Sequence, residues 1–286
     1  MTETAAALSP ALAHVLRCLD LEPLDADLFL GDPGPGKGRL FGGMVAAQSA
    51  MAAGRTVDAD RRLHSMHAYF LRPGRHDRPL RFLVDRIRDG RSFTTRRVKA
   101  HQAGEAIFAL EASYVLPEEG IEHQDPMPEV PAPEQSVDRE SDRLRKLGEE
   151  WQNHPVNAVE VRVTDDRSIA GGERTEPRQR YWMRLRGTIP DARERLLTAL
   201  FVYASDRALL STAALPHGVH WGKGMAASLD HALWIHRPVD LHDWHLFDTA
   251  SPAAHAGRGI VIGGIFRRDG VRVASVAQEA LIRPPR

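Results

Sequence analysis

Three polar side chains stand in this sequence where apolar ones would be expected, and their types suit acid–base chemistry. Asp206 ends the apolar run LLTALFVYASD, residues 196–206. Gln278 lies between Ala277 and Glu279 in a second apolar stretch, 271–282. Ser228 and Asp230 fall on one face of a third, 226–236, because side chains alternate along a strand. A carboxylate in an apolar segment loses roughly several kcal/mol, shifts its pKa, or finds hydrogen-bond donors. Such a group is a candidate for proton transfer. The plain alternative is that Asp206 lies on a wet edge and pairs with Arg207 or water.

These groups must be held by longer elements. Residues 193–215 read as one buried helix: 197, 200, 201, 204 and 208 follow a 3.6 period, and Leu196, Val202 and Leu209 make its other faces apolar. Residues 9–19 predict a short helix capped by Ser9 with Pro10 at its first position. A strand over 21–29 and a Gly/Pro-rich turn over 31–39 follow; the turn's Gly-Lys lacks the spacing of a phosphate-binding loop. Gly42-Gly43 leads into a helix of small residues, 45–53. Strands are expected over 63–74, 80–89, 92–102 and 106–116, then 156–163 and 179–186, then 226–236, 244–251, 260–266 and 271–282. Asp269-Gly270 marks a tight hairpin turn. Between the halves, 117–135 is rich in Pro and Glu, and 136–150 reads as a charged helical segment.

The order of elements occurs twice. Laying Arg72-Pro73 on Arg237-Pro238 matches Tyr69 with Trp234. Laying Gly104 on Gly270 matches Phe108-Ala109-Leu110 with Ala274-Ser275-Val276. A long antiparallel sheet curled around one buried helix, made twice, fits this repeat. The copies differ in polarity: the first helix carries Gln48 and Ser49 but no acid, and Glu111-Ala112-Ser113 stands in the region of Gln278. One working site per chain is expected.

Composition narrows the rest. The 286 residues carry 38 basic and 38 acidic side chains, so bulk charge gives no reason for binding to nucleic acid or membrane. The one cysteine, Cys18, allows no internal disulfide and points to the cytoplasm. No run suits a transmembrane helix, and the N-terminus does not read as a signal peptide. The histidine pairs His64/His67 and His242/His245 do not form a convincing metal set, and no metal is expected. Arg96, Arg97 and Lys99 are either phosphate contacts or a solvated strand face.

Six segments together resemble the acyl-CoA thioesterase II (TesB-like) family: LFGGMVAAQS (40–49), HSMHAYFLRPG (64–74), RDGRSFTTRRVKA (88–100), ASDRALLSTAALPHG (204–218), SLDHALWIHRP (228–238) and DGVRVASVAQEALIR (269–283). The resemblance implies an α+β double hotdog, two tandem repeats each with a long antiparallel sheet wrapped around a central helix. It divides the chain into an N-terminal hotdog (1–117), a linker (118–150) and a C-terminal hotdog carrying the site (151–286). It implies hydrolysis of acyl-CoA to fatty acid and coenzyme A by water, with a catalytic set at Asp206, Ser228 and Gln278, and no cofactor. Ser228 stands where the family usually has Thr, keeping the hydroxyl but losing the methyl that restricts its rotamer. The absence of a G-x-S-x-G elbow agrees with an activated water rather than an acyl-serine. Exposed strand edges and the resemblance both favour a homo-oligomer, dimer or tetramer. Two rival readings are a non-catalytic acyl-thioester-binding protein and a hotdog hydratase or dehydratase.

Overall fold

The computed structural model describes residues 8–141, 157–165, 174–218 and 225–283. Helix α1 (Pro10–Leu19) starts as expected, Ser9 Oγ accepting from the Leu12 N–H. The strand expected over 21–29 is a hairpin, β1 (Glu22–Asp25) and β2 (Leu28–Gly31). Helix α2 (Gly42–Arg55) precedes β3 (Arg62–Phe70), β4 (Leu80–Asp89), β5 (Phe93–Gln102) and β6 (Glu105–Val115). The second half holds β7 (Val137–Asp138), β8 (Val159–Val163), β9 (Arg178–Leu185), α3 (Glu194–Ser205) and α4 (Leu209–Ala214). It ends with β10 (Met225–Ser228), β11 (Asp230–Ile235), β12 (His245–His255), β13 (Arg258–Arg267) and β14 (Arg272–Arg283).

All strands join one sheet, ordered β1-β2-β4-β5-β6-β3-β11-β14-β13-β12-β9-β8-β7, with β10 also on β14. Every recorded pairing between named strands is antiparallel. The halves meet where β3 pairs with β11, Ala232 opposite His67, Asp230 opposite Tyr69 and Trp234 opposite Ser65. Since Trp234 is the repeat mate of Tyr69, this register is that of a local two-fold axis through the 67/232 pair. The flanking ladders agree: Tyr69 pairs with Ala109, and Trp234 with Ser275. This is the twice-made sheet expected from the repeat, and the double hotdog that the family resemblance implies.

Helices α2 and α3 pack side by side on the sheet. Small residues permit the approach: Ala46, Ala47, Ala52 and Ala53 are fully buried, and a Cβ on Gly43 would lie 2.6 Å from the Tyr203 carbonyl oxygen. They run antiparallel, for Gly43 of α2 meets Asp206 at the end of α3, while Gly54 meets Arg195 at its start.

Three expectations need correction. The helix over 193–215 is two helices. Asp206 caps α3, and Ala208, left-handed at φ 67°, turns the chain into α4. A non-glycine residue there costs about 1–2 kcal/mol, offset by the burial of Ala204 and Leu209 on either side. Secondly, the segment expected to be helical over 136–150 begins extended, Val137 and Asp138 pairing with β8; 139–141 is helical, and 142–150 lies outside the described residues. Thirdly, the sheet's edges are short, four residues in β1 and two in β7, which is poor material for edge-to-edge pairing.

The Pro/Glu-rich stretch is held against the second half. Gln124 bonds Gly270 and Arg272, Asp125 pairs with Arg272, and the Trp182 indole N–H donates to the Pro131 carbonyl. Met127 and Val130 cover Trp182, Trp244, Leu246 and Phe266 on the outer face.

Candidate active site

Asp206, Ser228 and Gln278 come together, one from each of three elements. Gln278 Nε2 on β14 donates to Asp206 Oδ1 at 2.8 Å, and Ser228 Oγ on β10 donates to the same oxygen at 3.4 Å. The Gly43 backbone N–H in the first turn of α2 supplies a further donor. A helix N-terminus carries partial positive charge, so a carboxylate is favoured there. Burial nevertheless prevails: only 5 % of Asp206 is exposed, and desolvation pushes its carboxyl up to about 6 against these donors. The helix break at Ala208 ends α3 beside that terminus. Gly42 is required by this junction, because a Cβ there would stand 2.5 Å from the Phe70 ring and 2.9 Å from Asp206 Oδ2.

Ser228 and Asp230 do not share a face. Ser228 pairs with Ala280, but Ala232 pairs with Ala277, so the register slips by one residue around Leu229. A bulge reverses the side of every residue beyond it. Ser228 therefore faces Asp206, while Asp230 accepts from the Glu279 N–H at 2.6 Å and holds the bulge.

The same slip turns His231 inward, a residue for which the sequence analysis assigned no role. It is fully buried, its Nε2 lies 2.9 Å from Ser205 Oγ, and its other face meets the Gln278 amide. Desolvation lowers its pKa to about 4, so it is neutral. Gln278 Oε1 and His231 Nδ1 both lack another hydrogen-bond partner. The tautomer with hydrogen on Nδ1 brings donor toward acceptor and leaves the Gln278 NH₂ on Asp206. A buried histidine just after a strand register break carries no sequence signal of its own.

Asp206 and Ser228 line a cavity of about 430 Å³ together with Leu40, Phe41, Phe70, Ile107, Leu210 and Leu229 among others, with Arg39 and Arg72 also on its wall, while Gln278 is buried against Asp206. Phe41 packs edge-on to Tyr203, with Arg207 over its ring at 5.1 Å. Leu40 and Phe41 also line a neighbouring, mostly apolar cavity of about 610 Å³ beneath α1. The arginines considered for phosphate are elsewhere. Arg96 is 1 % exposed and bonds the Thr56 carbonyl at the end of α2, and Arg97 pairs with Glu111. Gln48, also buried, donates to the Cys18 and Asp32 carbonyls. Among the described residues no cluster of three His, Cys, Asp or Glu is placed to hold a metal.

The family model for acyl-CoA thioesterase matches residues 152–281, and that for the acyl-CoA thioesterase N-terminal domain matches 31–115. The chain is 38 % identical to mouse acyl-coenzyme A thioesterase 8, over 94 % of this chain and 88 % of that one. It is 37 % identical to acyl-CoA thioesterase 2 of Haemophilus influenzae, over 96 % and 99 %. The crystal structure of acyl-CoA thioesterase II TesB2 from Mycobacterium marinum superposes with a TM-score of 0.78 at 37 % identity, covering 95 % of this chain and 98 % of that one. A repeat with one polar junction, a double hotdog sheet and matches in both halves lead to one conclusion: the chain belongs to the acyl-CoA thioesterase II family.

Proposed function

We propose that Asp206, Ser228 and Gln278 carry out the acyl-CoA thioester hydrolysis of this family member. The observation that carries the reading is a buried carboxylate, its pKa raised to about 6, gripped by an amide and a helix N-terminus at the base of an apolar cavity. Near neutral pH the carboxylate is ionised and basic enough to take a proton from water. The water oxygen attacks the thioester carbonyl as its proton passes to Asp206. The tetrahedral oxyanion then collapses, the C–S bond breaks, and the thiolate takes the proton back. A thiol pKa near ~8.5 makes this departure easy. Ser228 orients the water as donor and acceptor, and Gln278 fixes the Asp206 carboxylate that receives its proton. The Gly42 N–H, in the first turn of α2 on the cavity wall, is the oxyanion donor in this scheme.

Arg39 and Arg72 are assigned to the coenzyme A phosphates, and the apolar cavity beneath α1 to the acyl chain. We read 1–117 and 151–286 as the two hotdog units, joined by 118–150. No described helix is long and apolar enough to cross a membrane; a cytoplasmic setting is proposed from the lone, buried, free Cys18. A second copy of the chain is proposed to cover the outer sheet face around the β3–β11 seam, where Tyr69 on β3 is 62 % exposed, Trp234 lies on β11 and Ile262 lies two strands further on, on β13. Light scattering of Trp234→Glu tests it: a fall in mass supports the dimer or tetramer, and an unchanged mass refutes this surface.

The central experiment is thiol release from short, medium and long acyl-CoAs, run beside Asp206→Asn. Release by the native chain and its loss in the variant support the mechanism. Equal rates in both remove Asp206 from it.

A further inference from the structure

The local two-fold axis gives the catalytic cavity a mate at the opposite end of the α2/α3 pair. Asp206 meets Gly43 at the first end; Gly54 meets Arg195 at the second, a Cβ on Gly54 standing 3.0 Å from the Arg195 Cδ. Gly54 thus takes the place of Asp206. By the strand register, Leu63 takes the place of Ser228 and Ala112 that of Gln278. All three reactive groups are missing, yet the cavity persists, with a volume of about 540 Å³.

Its chemistry is inverted. Arg55, Arg61, Arg62, Arg193 and Arg195 line it, and Glu194 is the one acid on its wall, already paired with Arg62 at 2.9 Å. Arg55 bonds Asp20 and the Leu21 carbonyl, and Arg195 the Val57 carbonyl. Arg61 Nη2 is satisfied by the Gly90 and Arg91 carbonyls and its Nε lies 3.9 Å from the exposed Asp58 carboxylate, but its Nη1 is buried without a hydrogen-bond partner. Arg193 has no side-chain partner among the described residues, and gives α3 no side-chain cap. The floor is apolar, formed by Met51 and Leu63 with small alanines. A guanidinium donor without an acceptor carries an uncompensated desolvation cost, which an anion admitted beside it would offset.

We propose that this mate cavity is a non-catalytic binding site for a fatty-acid carboxylate, the head between Arg61 and Arg193 and the chain over Met51 and Leu63. The site goes beyond the hydrolytic reading and uses none of its residues. Equilibrium dialysis with dodecanoate on the full chain tests it. Native chain and Asp206→Asn bind alike, Arg193→Glu binds about tenfold or more weakly with thiol release unchanged, and Arg193→Lys retains binding. Equal binding by Arg193→Glu, or loss in Asp206→Asn, overturns the proposal, the latter by placing the ligand in the catalytic cavity. Dodecanol is not retained; if it binds as well as dodecanoate, the arginines recognise nothing. Coenzyme A alone does not displace dodecanoate; if it does, the site reads phosphate and the carboxylate assignment falls.

Discussion

The two ends of the α2/α3 pair share a backbone plan and differ in electrostatic sign. At one end a carboxylate is pressed against a helix start and into an apolar floor. At the other the corresponding position is glycine, and an arginine side chain lies over it. The fold alone therefore does not make a catalytic site. It provides a junction where a helix start, a helix end and a strand converge, and in the proposed mechanism three side chains decide whether that junction moves protons.

The sharpest way to break this comparison is to make the ends alike. Asp206→Asn is expected to lower kcat for thiol release by about 10²–10⁴, read by thiol titration; a loss below tenfold would make the ends equivalent. Gly42→Ala pushes a methyl toward Phe70 and Asp206 Oδ2. It should cost about 10²–10³ in kcat through misplacement of the oxyanion donor, and about 1–3 kcal/mol of stability from overpacking, measured by denaturant unfolding. Ser228→Ala removes a long hydrogen bond of 3.4 Å and should lower kcat about tenfold, whereas Ser228→Thr should stay within a few-fold.

The smallest effect is thermodynamic and pH-dependent. Asp206 titrates near 6 when folded and near its ordinary 3.8 when unfolded. Between these values the folded state binds more protons, so this group's contribution to stability falls as pH rises. His231 acts in the opposite direction: lowered to about 4 from 6.5, it favours the folded state more as pH rises through that window. The two nearly cancel in the native chain. Asp206→Asn should expose the histidine alone, giving a melting temperature that climbs with pH from about 4 to 6.5. At pH 8 it should exceed the native value by the equivalent of about 1–3 kcal/mol. A parallel pH profile in both proteins would show that Asp206 is not strained. Thiol release by the native chain should correspondingly rise through about pH 6.

Much of this was legible in the sequence. The repeat that lays Tyr69 on Trp234 reappears as the two-fold register across the seam, Tyr69 opposite Asp230 and Trp234 opposite Ser65, because long strands with clear turns between them leave little freedom in register. Asp206 and Gln278 stood out because their neighbours are apolar. The break after Asp206 was not legible: Arg207-Ala208 contains neither Gly nor Pro, and packing imposes the turn. The slip at Leu229 was equally silent, so Ser228 and Asp230 were placed together and His231 received no role. Arg96 read as a surface charge because nothing local shows that Thr56 and Asp89 enclose it. In each case the missing information lay in contacts between residues far apart in sequence.

The seam between β3 and β11 has a consequence for the chain's history and handling. Its ladder joins two halves that each supply a helix to the common interior, as two copies of a smaller ancestor would in a symmetric pair. A peptide bond cut in the exposed stretch 117–121, ahead of the contacts made by Glu122 and Gln124, would then leave two pieces that remain associated. Expressed separately, 1–117 and 122–286 should assemble with each other and restore thiol release, as a split enzyme whose reporter is its own chemistry.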